Sequence, residues 1–507
     1  MKKIAFYPTP IEIVDIMINS SSVNNNNLDI LEPGFGEGAF FNEIIQNHSF
    51  NSLTGIEIDQ NFYISQKNII SSIDNQNINI FNDDFLNFDF KKKFDLIIGN
   101  PPYINSDNLD DSIKNKITEL TGSGEGNIYY AFIFRSIELL KENGELIFIL
   151  PYDFFFNTYA QKLREALSNN GEFEFIIDLG DLNIFKNASP DTIIFKWIKR
   201  EKKQLNNIEI FSYFGQGNFK EIIPYLKDVL QNKEKNKYFS HFILNRLESS
   251  YQHIWSLSNF IEFKNTEPLK NKANVGVGIV SGSEDIFNIK NVDQFFFNDF
   301  EKEFCIKKFL KSKNLKKMSI YDIEENNYIF IPDFFKKEED LKTKCPNVYS
   351  YLKNSFERLS NRYIPKNKQW FNYLAIRNLN LMDKHLNSYK IIVPSLTRKD
   401  NEWFSITNLP YYVSGDCLII VGKNEYYTFL LFAILNSDYF NSFYKSTGPK
   451  KGKRIVFHQR VLMNTSIPVF DKIINDKLVQ SVSNMIKSSH FDFSEINKII
   501  NDIISKK

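Results

Sequence analysis

Cysteine is almost absent from this chain. Three residues in 507, Cys305, Cys345 and Cys417, form no CxxC pair and have no histidine nearby. That argues against a disulfide-stapled secreted scaffold and a structural zinc site, and points to a reducing cytoplasm. Long apolar runs are missing too. The densest, YYTFLLFAIL at 426–435, has about half the length a bilayer span needs. The start, MKKIAFYPTP, has two lysines but no apolar stretch behind them, so no signal peptide is read. No internal repeat is found. Neither the dinucleotide fingerprint GxGxxG nor the P-loop spacing is met, which weighs against a dehydrogenase and a nucleotide-triphosphate cradle.

What is present is a division of charge. The formal total is +1, yet residues 1–200 carry 16 Lys and Arg against 28 Asp and Glu, a net of −12, leaving +13 for the remainder. Such asymmetry suggests an acidic catalytic part joined to a part that meets a polyanion; the plainer alternative is compositional drift over solvated faces. The length implies two or three domains.

From residue 28 to about 200, short apolar strands alternate with amphipathic helices. The strands read LDIL (28–31), LTGIEI (53–58), INIF (78–81), FDLIIG (94–99), GELIFILP (144–151), FEFIIDL (173–179) and DTIIFKWI (191–198). GAFFNEIIQ (38–46) and IYYAFIFRSIELLK (128–141) read as helices between them. The alternation predicts an α/β domain with a mostly parallel seven-stranded sheet, helices on both faces. Thr9, Pro10 and Glu12 read as N-cap, first-turn proline and capping-box glutamate of an opening helix. Residues 220–260 read as connecting helices and 265–470 as irregular, aromatic and basic, before an amphipathic helix over 492–507. We place the boundary at 1–250 and 251–507, the second part a mixed α+β domain.

The chemistry gathers at strand ends. LDILEPGFGEGAFF (28–41) is a strand, an acidic residue and a glycine turn; Gly34 and Gly36 permit backbone shapes and close approach that a Cβ blocks. In open α/β sheets an adenosine-bearing cofactor sits at that turn. Glu32 and Glu37 have the wrong sign for a pyrophosphate but suit a cofactor with a cationic amine and sulfonium. Glu57, at the end of the next strand, falls where a carboxylate takes ribose hydroxyls. Asp84 and Phe85, after the third, offer a hydrogen bond and a stacking face for adenine. The fourth strand stops at Asn100-Pro101-Pro102-Tyr103, since two prolines cannot continue a sheet ladder. The Asn100 side-chain oxygen and the rigid Pro101 carbonyl can both accept from one exocyclic NH2, with Tyr103 a flat face for a base. Such catalysis works by positioning and directed hydrogen bonds rather than by a strong base.

EPGFGEG (32–38), GIEID (55–59), NDDF (82–85) and NPPY (100–103), in this order, resemble the motifs of S-adenosylmethionine-dependent DNA amino-methyltransferases. Thr9-Pro10 ahead of the glycine turn resembles the gamma class, typified by the Taq adenine-N6 methyltransferase. The resemblance implies that Thr9, Glu32, Pro33, Gly34, Gly36, Glu57, Ile58, Asp84, Phe85, Asn100 and Phe132 surround S-adenosylmethionine, with S-adenosylhomocysteine the product and no metal. It implies that Asn100, Pro101, Pro102 and Tyr103 bind an extruded adenine. Trp197, with Phe195 of the same strand parity in reserve, matches the aromatic that sandwiches the base against Tyr103. The class carries its target-recognition domain after the catalytic one, as the basic half lies here. Its candidate phosphate contacts are Lys311, Lys313, Lys316, Arg362, Lys450, Lys451, Lys453 and Arg454. The partner implied is double-stranded DNA, met in the cytoplasm by a monomer, with no membrane and with a separately encoded restriction endonuclease as the other half of a type II system.

Other readings stay open. Cytosine N4 fits the same acceptors, and similar sites methylate release-factor glutamine or ribosomal RNA guanine, although in smaller chains. Thr9-Pro10 so near the start leaves no room for the leading domain of a multisubunit modification protein or a fused nuclease. A catalytically silent DNA-binding module is the alternative outside enzymes.

Overall fold

All seven apolar runs become strands in the computed structural model of the chain. The structure describes residues 7–505 apart from 25–26, 74–76, 123–124, 186–190, 202–206, 216, 246, 248–254, 256, 258–262, 264, 290–291, 316–326, 334, 398–402 and 452–453. It divides near residue 260 into two compact units. The first runs α1 (Ile11–Asn19), β1 (Asp29–Pro33), α2 (Ala39–Asn47), β2 (Ser52–Glu57), α3 (Gln60–Ile70), β3 (Ile78–Asn82), β4 (Phe94–Gly99) and α4 (Asp111–Thr121). It continues with α5 (Ile128–Leu139), β5 (Leu140–Pro151), α6 (Gln161–Asn170), β6 (Gly171–Asp178), β7 (Thr192–Lys199), β8 (Ile208–Tyr213), α7 (Phe219–Asn232) and β9 (Phe239–Leu244).

These strands form one sheet in the order β3-β2-β1-β4-β5-β7-β6-β8-β9. β1 to β5 pair in parallel. β7 runs antiparallel between β5 and β6, β8 returns parallel to β6, and β9 closes the edge antiparallel. The sheet is therefore α/β and mostly parallel, with two strands beyond the seven expected. Phe239–Leu244 lies where connecting helices were read, and of that stretch Phe219–Asn232 alone is helical among the described residues. An edge strand with one solvated face carries a weaker apolar signal than a central one.

Two apolar layers flank the sheet. Ile13, Met17 and Phe41 pack with Ile30, Leu96, Ile98 and Ile147 on one side; Tyr129, Ile133 and Leu163 pack with Leu31, Ile97, Leu146 and Phe148 on the other. Each such side chain, when fully buried, contributes roughly 1.5–3 kcal/mol. That rigidity matters because strand order reverses between β1 and β4. The chain moves outward from β1 through β2 to β3, and from β4 toward β5, so a crevice opens at the carboxyl ends of β1 and β4.

The second unit is not irregular. Ala273–Val277, Cys417–Gly422, Lys390–Pro394 and Ser405–Thr407 form one four-stranded antiparallel sheet. A second sheet joins Asn288–Ile289, Asn327–Ile329, Ile306–Leu310 and Tyr412–Val413. The apolar run at 426–435 is a core helix, Glu425–Leu435, buried from Thr428 to Leu435. No helix among the described residues is long and apolar enough to cross a membrane.

Candidate active site

At the end of β1 the chain turns through Gly34, whose φ of +73° strains any side chain. A Cβ built there would meet Phe132 Cε1 at 3.8 Å, an ordinary van der Waals contact, so the constraint to glycine is the backbone angle. The N–H groups of Gly34 and Phe35 donate to the Ile56 carbonyl at 2.8 and 3.2 Å and tie the turn to β2. Gly36 N–H donates to Glu57 Oε2 at 2.7 Å and Asp59 N–H to Oε1 at 2.8 Å. Glu57 therefore fixes the turn, while each carboxylate oxygen keeps a second lone pair. Burial raises its pKa despite these donors.

Glu32 is the polar anomaly of the crevice. Its side chain is 2% exposed and its Oε2 has no hydrogen-bond partner. Burial drives its carboxyl well above the usual range, a backbone hydrogen bond from Phe41 works the other way, and the neighbouring Glu57 adds to the rise. An unsatisfied buried acceptor costs about 1–3 kcal/mol, which a cationic or N–H donor would recover. Pro33 is buried, and Ile58 beside Glu57 is 57% exposed. Phe85 is buried against Phe132, ring centroids 4.9 Å apart. Asp84 closes its own turn, Oδ1 accepting Leu86 N–H at 3.0 Å and Oδ2 accepting Asn87 Nδ2 at 2.6 Å, and like Glu57 it keeps a second lone pair on each oxygen. Glu32, Gly34, Phe132 and Phe85 thus line one cradle.

β4 delivers Asn100 to the same opening; a Cβ on Gly99 would meet Glu32 Cγ at 3.6 Å. The Asn100 amide nitrogen donates to the Tyr7 carbonyl at 2.9 Å and to Thr9 Oγ1 at 3.0 Å. Both amide hydrogens are spent, which leaves the oxygen as the group's remaining hydrogen-bonding atom. Oδ1 is buried and has no partner. Thr9 is accordingly not the cap of α1, whose N-cap position is Pro10 with no side-chain hydrogen bond; its hydroxyl holds Asn100 instead. Pro101 is buried and Pro102 half-buried. Tyr103 donates its hydroxyl to the Ile149 carbonyl at 2.8 Å. Burial pushes its phenol well above the usual value, with Tyr7 adding to the rise, so Tyr103 stays neutral and serves as a surface.

Trp197 and Phe195 do not face Tyr103. β7 runs backward, with Thr192 paired to Pro151 at the site edge and Trp197 paired to Leu146 at the far one. Five residues at about 3.3 Å each put Trp197 roughly 17 Å down the strand. Its indole N–H donates to the Leu167 carbonyl at 3.1 Å and its ring is fully buried. Phe195 is equally buried, against Phe154 and Phe173. The rings that do meet Tyr103 are Tyr7, stacked at 5.8 Å and 27°, and Phe185, edge-on at 6.2 Å, with Tyr129 edge-on behind. Phe185 follows β6, which runs toward the site edge. Strand direction would have singled it out; Tyr7 could have been found from its place two residues before Thr9.

Of the basic candidates, Lys313 and Arg454 are exposed. Lys311 is paired with Glu284. Arg362 is a structural clasp: its guanidinium donates to the carbonyls of Ser281 (2.6 Å), Trp370 (2.8 Å), Leu359 (3.1 Å) and Asn372. Lys316, Lys453 and the side chains of Lys450 and Lys451 lie outside the described residues.

Residues 13–185 match the family model described as Eco57I restriction-modification methylase. The Type II methyltransferase M.MjaIV of Methanocaldococcus jannaschii is 39% identical over 218 residues, 43% of this chain and 72% of that protein. The Type II methyltransferase M.HindII of Haemophilus influenzae is 29% identical over 97% of this chain and 95% of its own length. Among solved structures, that of the Type IIL restriction-modification enzyme MmeI in complex with DNA has a TM-score of 0.64 at 12% identity, covering 99% of this chain and 74% of that one. The last is a likeness of fold.

Proposed function

The chain belongs to the Eco57I restriction-modification methylase family, and from that premise we propose that it transfers a methyl group from S-adenosylmethionine to N6 of an adenine flipped out of double-stranded DNA. The observation that carries this reading is the Asn100 amide, its nitrogen tied to Tyr7 and Thr9 and its buried oxygen free to accept. Two acceptors at one amino group, Asn100 Oδ1 and the Pro101 carbonyl, draw its hydrogens aside and leave the nitrogen lone pair for attack. Tyr103 gives the base a flat support held by its hydroxyl on Ile149.

The cradle fits the cofactor. Glu32 Oε2 would receive its ammonium group, Glu57 its ribose hydroxyls, and the Phe85–Phe132 pair its adenine, beside the turn at Gly34. When bound, S-adenosylmethionine supplies an electrophilic methyl on a cationic sulfonium. In this reading residues 1–250 carry catalysis. Residues 251–507 recognise the target, phosphate contacts offsetting the few kcal/mol that base flipping costs. The protein acts as a monomer and modifies the site of a separate nuclease.

Purified protein given labelled S-adenosylmethionine and unmethylated genomic DNA tests this. Label in N6-methyladenine at one short sequence is expected. Label in N4-methylcytosine would move the same acceptors to cytosine, and label in RNA or a release factor but not DNA would overturn the substrate.

A further inference from the structure

The stacking of Tyr7 on Tyr103 has a consequence for how the base enters. Tyr7 reaches the pocket from the segment before α1, and its carbonyl takes an Asn100 amide hydrogen at 2.9 Å. Its ring therefore lies at the same opening as the Asn100 acceptor. The Tyr7 and Tyr103 centroids are 5.8 Å apart at 27°, and Phe185 lies 5.7 Å from Tyr7 and 6.2 Å from Tyr103. A base stacked between two rings needs them about 7 Å apart, two van der Waals thicknesses. The slot is closed on itself.

We propose that the Tyr7 side chain is the stand-in for the target base: it covers the Tyr103 face when no DNA is bound and is displaced as a purine enters. The backbone of Tyr7 need not move, because rotation about its side-chain torsions leaves the carbonyl on Asn100. One residue thus carries two separable functions, the carbonyl orienting the acceptor and the ring occupying the slot. A fixed wall, the alternative role for such a ring, would have stood clear of Tyr103 by a base thickness. The stand-in also gives an energetic reason for discrimination. Aromatic pairs contribute about 0.5–1.5 kcal/mol beyond burial, so a group that stacks poorly on Tyr103 does not replace Tyr7.

The inference rests on the base-acceptor reading above, and its test separates the two. The duplex carries the sequence at which methylation is mapped, with 2-aminopurine in place of the target adenine. Binding and fluorescence are followed for the parent, Tyr7→Ala and Tyr7→Phe. The stand-in predicts that Tyr7→Ala binds this duplex about two- to tenfold more tightly and with a larger fluorescence rise. Tyr7→Phe, which keeps the ring, binds as the parent does, and the advantage of Tyr7→Ala vanishes on a duplex abasic at the target. Equal or weaker binding by a folded Tyr7→Ala, checked by its circular dichroism, overturns the stand-in while leaving the function intact. A parent that neither methylates nor selectively binds DNA removes the function itself.

Discussion

At the scale of single residues, the site depends on which atoms are already spoken for. Asn100 can act as a pure acceptor because Thr9 and Tyr7 consume its hydrogens. Thr9→Val removes one of those partners and lets the amide turn. We expect single-turnover methyl transfer to slow about tenfold, one hydrogen bond's worth, with cofactor affinity nearly kept and with Thr9→Ser restoring the rate. Glu32 gives a prediction in pH. Its carboxyl is raised by burial and by Glu57, and a bound ammonium would favour the ionised form. Cofactor binding should therefore release a proton, and affinity should rise with pH until the ligand-free carboxyl has itself ionised. Titration calorimetry in buffers of different ionisation enthalpy reads that proton. The same shift makes Glu32 a cost to the ligand-free fold. The folded state holds the proton more tightly than the unfolded one, so stability falls as pH rises from the ordinary glutamate value through the raised one. Glu32→Gln should raise Tm near neutral pH while weakening cofactor binding, and an unchanged Tm with intact binding would contradict both claims.

At the scale of elements, the central parallel strands β1, β2 and β4 were legible because both faces are buried and each reads as an apolar run. The glycine turn, the carboxylates at successive strand ends and the proline stop announced themselves for the same reason: each breaks the pattern of the strand it closes. Direction was less legible. Apolar periodicity is the same whichever way a strand runs, so nothing in DTIIFKWI shows that β7 is reversed and that Trp197 sits far from Tyr103. The pairing supplies the measurement. Trp197→Ala should cost about 3–5 kcal/mol in chemical denaturation, as for a core tryptophan, while the folded fraction keeps its methyl-transfer rate. Phe185→Ala should instead lower the rate. The short strands of the second unit were missed because two- to six-residue runs among aromatic loops show too few periods to count.

At the scale of the whole molecule, the charge division of −12 and +13 outweighs any single basic run. Arg362 shows why: it looks like a phosphate contact in sequence, yet it is committed to four backbone carbonyls. The logarithm of DNA affinity should fall linearly with log salt. Arg454→Ala should lower that slope by about 1, whereas Arg362→Ala should unfold the second unit at lower denaturant.

The central claim is that Asn100 Oδ1 accepts from the amino group being methylated, and Asn100→Ala in single-turnover methylation tests it most directly. Loss of one preorganised polar contact to a reacting group costs on the order of 10²–10³ in rate elsewhere. We predict a fall of that order with the dissociation constant for S-adenosylmethionine little changed. A rate that survives, or a loss of cofactor affinity as large as the loss of rate, would contradict it.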